Sequence, residues 1–144
     1  MTQRLDYAAA APTGVYGYIG QSGLPKELVD LVYLRISLIN GCAYCIDMHS
    51  CDLLKGGLAP EKLALVPVWH EAGTLFSDRE RAALKWAETV TRVSETAVPD
   101  ADFEAAHAVF SDKELADLTI AIGLMNTFNR LAISFRSVPA AVKA

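Results

Sequence analysis

At 144 residues the chain is long enough for one domain with its own core and short for two. A net charge of -4 with no basic stripe excludes a broad nucleic-acid or anionic-membrane surface, and no uncharged apolar run approaches the ~20 residues of a membrane span. The apolar fraction of 52% and mean hydropathy of +0.24 are high for a small monomer, so part of that surface is expected at contacts between copies.

From the N-terminus, the stretch Met1 to Leu24 has no charged flank followed by a continuous hydrophobic segment, and Tyr, Gly and Pro interrupt it. It reads as no signal peptide, and the chain is expected to be cytoplasmic. Pro25 opens a predicted helix from Lys26 to Ile39 bearing Leu28, Leu31, Val32, Arg35, Ile36 and Leu38, with a strand across Val32 to Ile39 as the alternative. Asn40-Gly41 ends it as a helix C-cap does. A second helix starts near Cys42 and stops around Lys55, before Gly56-Gly57.

A short helix is expected from Pro60 to Leu65 and another from Pro99 to Phe110. Ser77-Asp78-Arg79-Glu80 and Ser111-Asp112-Lys113-Glu114 are capping boxes, opening helices from Asp78 to Arg92 and from Asp112 to Phe135. The latter is apolar nearly all round from Leu118 onward, which requires burial on several sides. No stretch alternates convincingly and no repeat or long linker appears, so the expectation is an all-α fold with residues 1–144 as a single domain.

The helix from Cys42 carries the chemistry. In Cys42-Ala43-Tyr44-Cys45-Ile46-Asp47-Met48-His49, two thiols stand three apart with an imidazole four residues on. At about 100° per residue, positions 42, 45 and 49 fall within roughly 60° of one another, so both sulfurs and the imidazole share one stripe. A cysteine reacts as its thiolate, and free thiols with pKa ~8.5 are mostly protonated at neutral pH. A helix N-terminus favours the negative charge, and His49 is placed to accept the proton. A carboxylate on the far ring nitrogen would orient that base, and Asp30 and Glu27 are the candidates on the preceding helix.

Zinc is the competing reading, with His49 and Cys51 completing four ligands. Cys51 lies about 180° from Cys42 on a continuous helix, which keeps it off the stripe, and it is expected to be a small buried hydrophobe. His70 and His107 lack comparable company. Asp30 and Arg35 can equally be solvated helix charges, and Tyr44 can pack or donate a hydrogen bond.

The run Leu34-Arg35-Ile36-Ser37-Leu38-Ile39-Asn40-Gly41 followed by the dithiol segment closely resembles the core of the alkylhydroperoxidase D-like branch of the carboxymuconolactone decarboxylase family. Segments Phe76 to Ala87 and Asn126 to Ala132 are similar to its downstream parts, and Arg4-Leu5-Asp6-Tyr7 to its usual opening. The resemblance implies an all-helical fold that assembles through apolar helices as a homo-oligomer, a trimer or hexamer. It further implies a thiol-dependent peroxidase in which Cys45 attacks the hydroperoxide, Cys42 resolves the product, His49 relays the proton through a water and Asp30 holds His49.

Three positions depart from the family pattern. Asp30 replaces a glutamate, Leu38 a frequent glutamine, and Tyr44 a histidine found between the cysteines of well-studied peroxidase members. The expected partners are a hydroperoxide substrate and an external dithiol reductant. No metal or flavin is required, and no G-x-G-x-x-G or P-loop is present to hold a nucleotide. The alternatives are a disulfide switch that senses oxidation without efficient turnover, and a lyase related to the decarboxylases.

Overall fold

The computed structural model describes residues 10–143, so the Arg4-Leu5-Asp6-Tyr7 opening lies outside the described residues. Within them the chain is helical, in the order α1 (Ala10–Gly20), α2 (Lys26–Asn40), α3 (Ala43–Lys55), α4 (Pro60–Leu65), α5 (Asp78–Thr91), α6 (Val93–Thr96), α7 (Asp100–His107), α8 (Asp112–Ser134) and α9 (Ala140–Lys143). Two 3₁₀ segments, Val66–Glu71 and Gly73–Leu75, join α4 to α5. Among the described residues there is no strand, and no helix is long and apolar enough to cross a membrane.

α2 is the central element, packed by α3, α5 and α8. Neighbours on several sides explain its near-continuous apolar run, which periodicity alone cannot distinguish from a strand. Residues Leu28 to Leu34 are all buried, Asp30 and Tyr33 among them. The helix ends where Gly41 adopts a left-handed conformation, φ 71°, and both Gly41 and Cys42 donate their amides to the Ser37 carbonyl. The Ser77 and Ser111 capping boxes are both formed, so α5 and α8 start where the sequence places them.

One core joins α1, α2, α5, α7 and α8 through Ile19, Val32, Ile36, Trp86, Ala106, Leu118 and Ile122, with Phe110 in the turn after α7. A second joins α2, α3, α5 and the 3₁₀ segment Val66–Glu71 through Leu31, Leu34, Leu53, Val66, Trp69 and Leu84, with Phe76 just ahead of α5. Polar contacts fasten the centre. Arg35 Nε and Trp69 Nε1 both donate to Glu88 Oε1 at 2.8 Å, so Arg35 is no freely solvated helix charge. Asn40 Nδ2 donates to Asn126 Oδ1 and Asn129 Oδ1, and Asn129 Nδ2 donates to Ser37 Oγ, which pins the end of α2 to α8.

Two features go beyond the sequence pattern. Segment α1, interrupted by Pro12, Gly14 and Gly17, is helical although its pattern does not announce it. Along α8, Leu118, Ala121, Ile122, Leu124 and Met125 are buried, but Ile120 is 44% exposed on the face away from α2. Within one chain that helix is therefore covered on most sides rather than all.

Candidate active site

α3 presents its chemistry on a single stripe, because Cys45, His49 and Leu53 are its buried residues, each one turn beyond the last. Cys42 stands just ahead as the N-cap, in extended conformation, with its Sγ accepting from the Cys45 amide at 3.3 Å. The two sulfurs are at disulfide distance and the Cα atoms are 5.3 Å apart. Both cysteines are buried, packed against Ala132 of α8.

The sulfurs face different spaces. Cys45 and His49 line a cavity of about 240 Å³ walled by Tyr16, Tyr44, Met48, Met125 and Phe128. Cys42 lines a smaller one of about 130 Å³ with Gly41, Ala132, Arg136 and Ser137. Tyr44 borders both and is 38% exposed, so it forms a rim between them.

His49 is 2% exposed, and neither ring nitrogen has a hydrogen-bond partner among the described residues. Burial pushes its pKa below the usual histidine value, the negative charges of Asp30 and Asp52 oppose that shift, and Lys26 adds to it. A buried imidazole held neutral is a base ready to take a proton.

Asp30 is buried on α2, but its carboxylate is paired with Lys26 one turn earlier. No direct hydrogen bond joins Asp30 to His49; the carboxylate acts on the imidazole through space. Glu27, the other candidate, is exposed. Cys51 corrects its expectation, since it is exposed, with Sγ 3.8 Å from Asp47 Oδ1. The buried stripe runs along the opposite side of α3, so a residue half a turn away is turned outward.

The sequence reading missed Tyr33, whose ring is tilted against His49 with centroids 5.3 Å apart, and Tyr16 on α1. Tyr33 was findable, being three residues after Asp30 and so on the same helix face. Tyr16 was not, because its segment gives no helical pattern. His70 and His107 stay away from the dithiol, His107 facing Asp112 at 2.6 Å on the surface.

The sequence profile of the carboxymuconolactone decarboxylase family matches residues 7–89. The uncharacterized protein YdfG of Bacillus subtilis is 31% identical over 140 residues, covering 93% of this chain and 95% of its own. Alkyl hydroperoxide reductase AhpD of Methylocella silvestris is 44% identical over 45 residues, only 31% of this chain and 25% of that protein. Among solved structures, a protein of unknown function from Agrobacterium tumefaciens, a candidate antioxidant defence protein AhpD, superposes with a TM-score of 0.91 at 40% identity, over 96% of this chain and 98% of that one.

Proposed function

From the premise that the chain belongs to the carboxymuconolactone decarboxylase family, we propose that it is a thiol-dependent peroxidase with Cys45 as attacking thiolate and Cys42 as resolving thiol. The observation that carries this reading is that Cys45, alone of the two sulfurs, opens with a buried unprotonated His49 onto an apolar cavity while lying at disulfide distance from Cys42. The names of the Agrobacterium and Methylocella relatives point the same way.

In this mechanism His49 takes the proton of the Cys45 thiol, and the amides in the first turn of α3 favour the thiolate. The sulfur attacks the terminal peroxide oxygen. An S–O bond forms as the O–O bond breaks, the alkoxide leaves with the proton held by His49, and Cys45 becomes a sulfenic acid. The Cys42 thiol displaces water from it to close the disulfide. An external dithiol then supplies two electrons and two protons to regenerate both thiols. Asp30 steadies the transient imidazolium through space, which accommodates a carboxylate one methylene shorter than the family's glutamate. The cytoplasm, with its dithiol reductants, is the compartment that suits this cycle, and the exposed Ile120 face of α8 suits assembly of copies.

The test is stopped-flow oxidation of the reduced protein by hydrogen peroxide and by an organic hydroperoxide, followed by disulfide mapping. Cys45→Ser is expected to abolish hydroperoxide consumption, whereas Cys42→Ser permits a single oxidation event per chain. Normal turnover by both variants would remove the dithiol from the mechanism. Oxidation that occurs once and is not reversed by any dithiol would favour the switch reading instead.

A further inference from the structure

Between α1 and α2 lies a second cavity of about 290 Å³, lined by Tyr16, Lys26, Asp30 and Tyr33 together with apolar Ile19, Leu24 and Val29. Tyr16 is common to this space and to the one that holds Cys45 and His49. Tyr33 is 2% exposed, and its hydroxyl has no hydrogen-bond partner among the described residues. So the two rings in contact across α2 and α3, Tyr33 and His49, both carry buried polar atoms without a partner among the described residues. Buried polar groups in native proteins are paired, with ordered water where no side chain reaches. The cavity is polar where Asp30 and Lys26 meet it, and each water needs a share of only about 30 Å³.

We propose that Tyr33 is a positioning residue of the thiol site: through water held beside Asp30, its hydroxyl orients His49 and conducts the imidazole's proton toward the Lys26–Asp30 pair and solvent. Each step moves one proton. When Cys45 ionises, His49 passes the proton taken from it by way of water to the Tyr33 oxygen, which accepts a proton as it releases its own, and water beside Asp30 carries it out; the same path run backward returns one proton to His49 for the departing alkoxide. No bond other than these O–H and N–H bonds changes and no electron is transferred.

Burial first, then Tyr16 and Asp30, raise the Tyr33 pKa, so the phenol stays protonated and can donate and accept at once. The arrangement also accounts for the missing direct contact between Asp30 and His49, because Tyr33 and its water span that gap. The titratable or charged groups that bear on His49 are Lys26, Asp30 and Tyr33 from α2, Asp52 and Cys45 from α3, and Tyr16 from α1; α8 offers apolar Met125, Phe128 and Ala132.

The role in turnover rests on the peroxidase reading, but the proton path can be read without it. In the reduced full chain, the rate of Cys45 alkylation is followed against pH for the parent, Tyr33→Phe, Asp30→Asn and the double variant. Tyr33→Phe keeps the ring against His49 and is expected to move the alkylation midpoint upward by about one pH unit. Asp30→Asn should move it similarly, and the double variant no further, because both groups act along one path. With a hydroperoxide substrate, kcat should fall about tenfold with KM unchanged.

A parent-like midpoint in folded Tyr33→Phe, or a double variant that sums the two shifts, overturns the proposal. Should Tyr33→Phe not fold, ¹⁵N spectra of His49 in the unaltered protein decide. A single hydrogen-bonded tautomer supports the path, and an averaging mixture of tautomers overturns it. A parent that consumes no hydroperoxide defeats the peroxidase reading alone and leaves the alkylation and nitrogen spectra standing as the test of Tyr33.

Discussion

The imidazole of His49 is kept uncharged chiefly by burial, with the charges of Asp30 and Asp52 pulling the other way and Lys26 reinforcing the burial. In the unfolded chain it would titrate near 6.5, above its folded value. Between those two values the unfolded state binds more protons, so stability falls as pH drops below about 6.5 and levels off beneath the folded pKa. Melting temperature measured from pH 8 to pH 5 should show that decline, and His49→Gln should flatten it. The stripe of Cys42, Cys45 and His49 was readable because helical spacing alone puts three side chains on one face. The pairing of Asp30 with Lys26 was not, since an exposed i,i+4 lysine competes for the carboxylate in a way that only the folded geometry settles. The exposure of Cys51 was implicit in the same helical wheel that carries the dithiol: once one face is buried, the opposite face is wet.

At the scale of elements, local chemistry and tertiary packing divide the outcome. The starts of α5 and α8 and the stop of α2 were legible because Ser77, Ser111 and Gly41 act within one turn of themselves. α1 was not, because among its described side chains only Ile19 is buried, and its place is decided by packing against α8. The 3₁₀ segment Val66–Glu71 was equally silent, its place being decided by Val66 and Trp69 packing with residues of α2, α3 and α5. Gly41 offers a clean test of a local signal. A Cβ there meets no atom within 4 Å, so the penalty of Gly41→Ala is the left-handed backbone at φ 71° and nothing else. Urea denaturation should show a loss of about 1 kcal/mol.

Across the whole molecule, helices that share few polar residues are locked by two clusters the sequence does not advertise, since their members are 53 and 89 residues apart. Glu88 receives both Arg35 and Trp69, and the side chains of Arg35 and Glu88 are only 13% and 16% exposed. Glu88→Ala strands a guanidinium and an indole N–H together. Thermal or chemical unfolding should reveal a loss of about 2–3 kcal/mol, larger than an exposed ion pair would give. The asparagine cluster does comparable work under the dithiol, tying Ser37, which accepts the Cys42 amide, to α8. In the proposed cycle Cys42 thus serves as resolving thiol and as the cap of a helix with the same sulfur atom. To the extent that Cys42 ionises in the reduced protein, its thiolate accepts the Cys45 amide hydrogen more strongly than a disulfide sulfur does, which firms the first turn of α3. By reciprocity, whatever braces that turn from outside, a neighbouring subunit included, favours electrons on the dithiol to the same extent that reduction favours the brace.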